Sequence, residues 1–180
     1  MLTMTTRLLA PLALALLLTP AACDSKAPQA STKSAPAPAL PTTLFLTSAP
    51  SDAQPVEEAK KSAKPGDTIT LRGRIGGSDD PFVEDRAAFT IMGPGVPACS
   101  DNPEDHCKTP WDYCCETPET IAAHQAMIQV VDASGAPMKL ALKGQHGLKE
   151  LSDCTITGKV AQAEGPVFVV NATGIYIAGK

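Results

Sequence analysis

The chain has 180 residues and carries 15 Lys and Arg against 19 Asp and Glu, a net charge of −4 at pH 7. That balance, with only 4% aromatic residues, argues against a basic, base-stacking surface, so nucleic acid is not expected as a partner. The length beyond the N-terminal segments fits one domain around one core, and no internal repeat is present.

The chain opens with Arg7 ahead of an apolar run from Leu8 to Leu18, broken only by Pro11. The run is shorter than the ~20 residues that span a bilayer and suits the hydrophobic region of a secretory signal. Pro20-Ala21-Ala22 leads into Cys23. Small residues before a cysteine resemble the bacterial lipobox, although Pro20 stands where that pattern usually has Leu. The expectation is a signal peptide over residues 1–22 and a lipidated Cys23 that anchors the protein in the cell envelope, facing the periplasm or exterior. Ordinary signal cleavage, with Cys23 a spectator, is the alternative. Residues 23–42 are rich in Pro, Ala and Ser, a composition that buries too little apolar surface to offset chain entropy. They read as a disordered tether.

Residues 43–180 read as a β domain. Leu44-Phe45-Leu46 is a short strand candidate, and residues 56–61 predict about two turns of helix, ended by Lys64-Pro65-Gly66-Asp67. Alternation predicts strands over 68–74 and 87–92, with Gly76-Gly77-Ser78 turning the chain between them. Further strands are expected over 127–132, 138–142, 155–160, 167–170 and 173–177, with a helical turn at 148–151 and a break near Asn171. Together they predict a mainly β fold, a small OB-like Greek-key barrel of five to six strands with a short helix. Phe89, Ile91, Ile156, Val160, Phe168 and Val170 are the expected core.

Between residues 93 and 125 the β pattern stops. A loop of this length inside a compact domain is usually functional or separately braced. This one holds Cys99, Cys107, Cys114 and Cys115, with Trp111, Tyr113, His106 and His124. Its acids are Asp101, Glu104, Asp105, Asp112, Glu116 and Glu119, against Lys108 alone. In an oxidising compartment the first expectation is two disulfides, Cys114 and Cys115 each pairing with Cys99 or Cys107. A metal site is the alternative, since these thiols and imidazoles are suitable ligands, but the spacing is not the paired C-x2–4-C of structural zinc. A dithiol redox centre is the third possibility, without the usual C-x-x-C. Cys154 shares its alternation with Ile156 and Val160 and reads as a buried thiol. Trp111 and Tyr113 read as caps on the barrel end, with a surface ligand platform as the alternative.

The stretches Gly73-Arg74-Ile75-Gly76-Gly77-Ser78, Asp80-Pro81-Phe82-Val83, Ala88-Phe89-Thr90-Ile91 and Cys107-Lys108-Thr109-Pro110-Trp111-Asp112-Tyr113-Cys114-Cys115-Glu116 resemble those of a family of small planctomycete lipoproteins. The resemblance spans roughly residues 43–177 and implies export and a shared architecture. That family has no assigned activity, so it implies no reaction. The residues themselves contain no G-x-S-x-G, H-E-x-x-H or phosphate loop, and adjacent carboxylates such as Asp79-Asp80 point apart. Neither an enzyme nor a cofactor is expected. The leading functional expectation is a membrane-tethered module that binds or scaffolds an unknown protein or small ligand, with metal binding by the insertion as the alternative.

Overall fold

The computed structural model describes residues 39–179; the expected signal peptide, Cys23 and most of the tether lie outside the described residues. The chain is mainly β, with β1 (Gln54–Pro55), β2 (Thr68–Ile75), β3 (Ala88–Met92), β4 (Gln125–Gln129), β5 (Asp153–Glu164) and β6 (Val167–Ile177). Two helices, α1 (Val56–Ser62) and α2 (Pro118–His124), complete it. The sheet runs β1-β2-β3-β4-β6-β5, and β2 also pairs with β5, so five strands form a hydrogen-bonded ring. The β2–β3, β3–β4, β5–β6 and β2–β5 pairs are antiparallel, while β4–β6 is parallel. Only the last two residues of β2 pair with β3; β1 adds a short parallel contact at Leu71 and Arg72.

Period-two patterning places the core. Ile69, Leu71 and Ile75 of β2, Phe89 and Ile91 of β3, Ile156 and Val160 of β5, and Phe168 and Val170 of β6 are all buried in one cluster. Every core residue expected from alternation is in it. Cys154 joins them as a buried free thiol whose pKa burial pushes up to about 12. α1 forms because Val56 and Ala59 put one apolar stripe on the ring, while Glu57 and Glu58 in its first turn and Lys60 and Lys61 in its last complement the helix dipole. Lys60 then reaches across three elements. Its ammonium donates to the carbonyls of Ala122 (2.5 Å), Gln125 (3.2 Å) and Pro166 (2.9 Å), tying α1 to α2, β4 and the β5–β6 turn.

Several local expectations need correction. Leu44-Phe45-Leu46 makes only an isolated parallel bridge to Ile175, because two backbone bonds exhaust its contact with β6. Residues 138–142 form no strand: Met138 bonds Val130 and Ala87, and Leu142 then turns into the core. The helical turn falls at Gln145–Gly147 instead of 148–151. Strand β6 is not broken near Asn171; a register shift between Thr157 and Gly158 absorbs one extra residue, and the strand continues.

Strand β3 differs from the others in being buried along its whole length, on both faces. One face looks into the ring. On the other, Met92 packs with Val96, Ala98 and Tyr113, flanked by Ile121 and Leu151, in a second small core. The insertion therefore carries apolar packing of its own, which its low aliphatic content concealed.

Candidate metal centre

The insertion leaves β3 through Gly93-Pro94-Gly95 and returns through α2 into β4, so both its ends are fixed to the ring. Gly93 donates its N–H to the His124 carbonyl at 2.8 Å, closing the base of the loop. Helix α2, not among the elements expected from the sequence, begins on a local start signal: Thr117 accepts from the Thr120 N–H, and Pro118 and Glu119 occupy the first turn. The middle of the loop is seated on the end of β2. Gly77, at φ +93°, donates its N–H to the Trp111 carbonyl at 2.8 Å. A Cβ on Gly76 would stand 2.5 Å from that same oxygen, so only glycine allows this approach. The indole N–H of Trp111 adds a bond to the Asp79 carbonyl at 2.9 Å.

From this seat the chain brings its sulfurs together. Cys99 begins a 3-10 turn, Cys99–Asp101, whose Asp101 carboxylate accepts the Ala98 N–H. Both oxygens of the same carboxylate accept from Arg74 Nη1, and Arg74 also holds Asp153 on β5, so Cys99 is anchored to two strands of the ring. Both carboxylates, Asp153 first, raise the guanidinium pKa against the opposing effect of partial burial. Asp105 accepts the Cys107 N–H at 3.0 Å. Asp112 accepts the Cys114 N–H at 2.9 Å and the Thr109 hydroxyl at 2.5 Å, folding residues 109–112 into a turn that returns Cys114 beside Cys107. Tyr113 takes φ +59°, a left-handed conformation uncommon for a bulky residue, at the point where the chain bends into Cys114 and Cys115.

The outcome is a cluster in which the Sγ atoms of Cys99, Cys107, Cys114 and Cys115 all lie within 4.8 Å of one another. Among the described residues these thiols and Cys154 are free, so the two expected disulfides are absent. All four sulfurs converge on one point instead of separating into two bonded pairs, an arrangement the one-dimensional spacing could not reveal. Cys107 and Cys114 come closest, at 3.2 Å. His106 is exposed and His124 bonds the Thr120 carbonyl; neither joins the sulfurs. Tyr113, at 2% exposure, gives its ring to the second core rather than to a surface platform, and burial raises its pKa to about 12. Trp111 is half-buried.

The electrostatics of the cluster are acidic. Asp105 lies 3.8 Å from the Cys115 sulfur and Asp112 4.0 Å from that of Cys99. Contact with Asp105, then with Cys114, holds the Cys107 pKa well above that of an ordinary thiol. Cys107 pulls the Cys114 pKa down, but Asp112, desolvation and Cys99 outweigh it and leave it at about 11. With their pKa values raised, the Cys107 and Cys114 thiols are poor nucleophiles as they stand. A cation changes that, because it stabilises the thiolates that the carboxylates oppose.

The donor set fits a tetrahedral ion. Zinc–sulfur bonds of ~2.3 Å place tetrahedral sulfurs roughly 3.8 Å apart, inside the span of this cluster. Cys99 would supply the buried ligand and Cys107, Cys114 and Cys115 the outer three. Among the described residues no helix is long and apolar enough to cross a membrane. Compared with protein-family models, with curated proteins and with solved structures, the chain finds no match.

Proposed function

We propose that the chain is a membrane-tethered extracytoplasmic protein whose β domain carries a tetrathiolate metal site. One observation carries this reading, the convergence of four sulfurs from three separate loop positions within 4.8 Å. Pairwise disulfides require only that sulfurs meet in twos, whereas a metal requires all four at one point. Four sulfur donors select borderline or soft ions, with Zn2+ the first candidate. A closed set of four protein ligands leaves the ion no position for water, so its role is to brace and not to catalyse. Bound there, it would fix the loop that covers the outer face of β3.

Two other features support the wider reading. The ring order β2-β3-β4-β6-β5, closed through β2–β5 with a parallel β4–β6 pair, supports an OB-like barrel. The signal-like N-terminus, Cys23 in its lipobox-like setting and the resemblance to planctomycete lipoproteins support a lipid anchor in the cell envelope. A role in binding a small ligand as well is favoured by a cleft of about 440 Å3 whose lining includes Arg72, Arg74, Asp101, Tyr113 and Asp153, built jointly by ring and insertion.

Zinc titration of reduced protein in competition with a chromophoric chelator tests the site. One equivalent should bind, and Co2+ in its place should give the sulfur-to-metal charge-transfer bands of a tetrathiolate. Stoichiometric disulfides with no metal uptake after reduction would overturn it. For the anchor, Cys23→Ser should abolish partitioning into detergent, and unchanged partitioning would refute lipidation.

A further inference from the structure

We infer that Cys107 and Cys114 form a thiol–disulfide exchange site, through which an external disulfide expels the metal from the cluster. The inference rests on the tetrathiolate reading above and names how that site is regulated.

The four ligands are not equivalent. Cys99 is buried, whereas Cys114 and Cys115 are exposed and Cys107 is half-exposed. An oxidant arriving from solvent therefore meets the outer sulfurs. Among these, one pair is poised to bond. The Cys107 and Cys114 sulfurs stand 3.2 Å apart, against ~2.04 Å in a disulfide, so a closure of about 1 Å completes the bond. The Thr109–Asp112 turn holds them there. Cys115 is the other exposed thiol, but bridging it to its neighbour Cys114 would strain the intervening backbone.

The chemistry balances with a disulfide as oxidant. The exposed Cys114 thiolate attacks one sulfur of the external disulfide, forming a mixed disulfide and releasing one thiolate. The Cys107 thiolate then attacks the Cys114 sulfur, forming the Cys107–Cys114 bond and releasing the second thiolate. Two electrons pass from the protein pair to the external disulfide, which leaves as two thiols after taking up two protons. A metal held by the four thiolates would thereby lose two of its ligands, Cys107 and Cys114, and be released.

The experiment uses zinc-loaded protein and oxidised glutathione under anaerobic conditions. Zinc release is followed with a metallochromic dye, and peptide mapping locates the bond. One equivalent of zinc should leave for each loss of two hydrogens in intact mass, the bond should map to Cys107–Cys114, and Cys154 should stay unmodified until unfolding. Zinc retained after the bond forms, a bond to Cys99 or between Cys114 and Cys115, or no reaction with excess oxidant would each overturn the inference. If the protein takes up no zinc, the tetrathiolate reading fails and mapping of the oxidised metal-free protein decides the pairing alone. Cys107–Cys114 would then uphold the exchanging pair but not metal expulsion, and any other pair would refute both.

Discussion

The ring and the insertion lie side by side across β3, and they solve the problem of order by different means. The ring relies on a backbone ladder closed on itself and on a core of Ile, Val, Leu and Phe, in which each residue supports several neighbours. The insertion has a second core of only Met92, Val96, Ala98 and Tyr113, and adds specific polar contacts: Asp112 on Thr109 and Cys114, Asp105 on Cys107, Arg74 on Asp101. Burial is non-directional and tolerates local error, whereas the polar turns each set one bend at one angle. Such turns position four sulfurs accurately but hold them weakly, and this is where an ion adds most.

The largest effect that sharpens the contrast is on the ring. Phe89 is fully buried and pairs with Ile128 across β3–β4, so Phe89→Ala should cost ~3–5 kcal/mol. Because β3 is shared by both cores, thermal melting should fall for ring and insertion together. A melt in which only the insertion loosens would break the comparison.

Metal removal is the converse. At a free zinc concentration one hundred times the dissociation constant, binding to the folded state contributes ~2.7 kcal/mol. Chelation should therefore raise hydrogen exchange across residues 93–124 while amides of β2, β5 and β6 keep their protection. Each thiol must lose its proton to bind, and the Cys107 and Cys114 pKa values are raised, so affinity should climb with pH through neutrality. Uniform loosening of the whole domain would show that ring and insertion are not separable.

These contrasts mirror what the sequence revealed. Alternation is local, so Phe89, Ile91, Ile156, Val160, Phe168 and Val170 announced both their strands and their facing. Bonds made by the backbone alone were harder: residues 138–142 look like a strand by composition, but their register is set by Val130 and Ala87. The cysteines were least legible. Spacings of eight, seven and one positions fit either staples or ligands, and only the turns at Asp105, Asp112 and Tyr113 bring all four sulfurs to one place. Gly76-Gly77 read as a turn, and its second use as the seat for Trp111 depended on the fold being closed first.

That seat gives a smaller test. A methyl on Gly76 would meet the Trp111 carbonyl at 2.5 Å, so Gly76→Ala must push the loop off the end of β2. Overpacking of this kind costs ~1–3 kcal/mol. Zinc affinity should drop while the Phe89 environment, followed by its ring resonances, stays unchanged. Equal affinity for zinc in Gly76→Ala would mean that the cluster forms without its seat.

A last test separates the buried thiol from the clustered ones. Cys154 belongs to the ring, and burial first, with Asp153 adding to it, raises its pKa from the ordinary 9.0 to about 12. The unfolded chain ionises this thiol near 9, whereas the folded protein keeps it protonated until pH approaches 12. A raised thiol pKa means that the folded state binds the proton more tightly, so this contribution to stability is fully present below pH 9. It drains away as pH rises towards 12. Tyr113, raised by burial from 10.0 to about 12, adds a second loss of the same sign over the upper part of that window. Denaturant midpoints measured at pH 8, 9.5 and 11 should therefore decline, and Cys154→Ala should flatten the first part of the decline while lowering stability slightly at pH 8. Tyr113→Phe should flatten the second part. A Cys154→Ala variant with an alkaline profile identical to the parent would place the titrating thiol in the insertion, and the ring would then contribute nothing to the pH dependence.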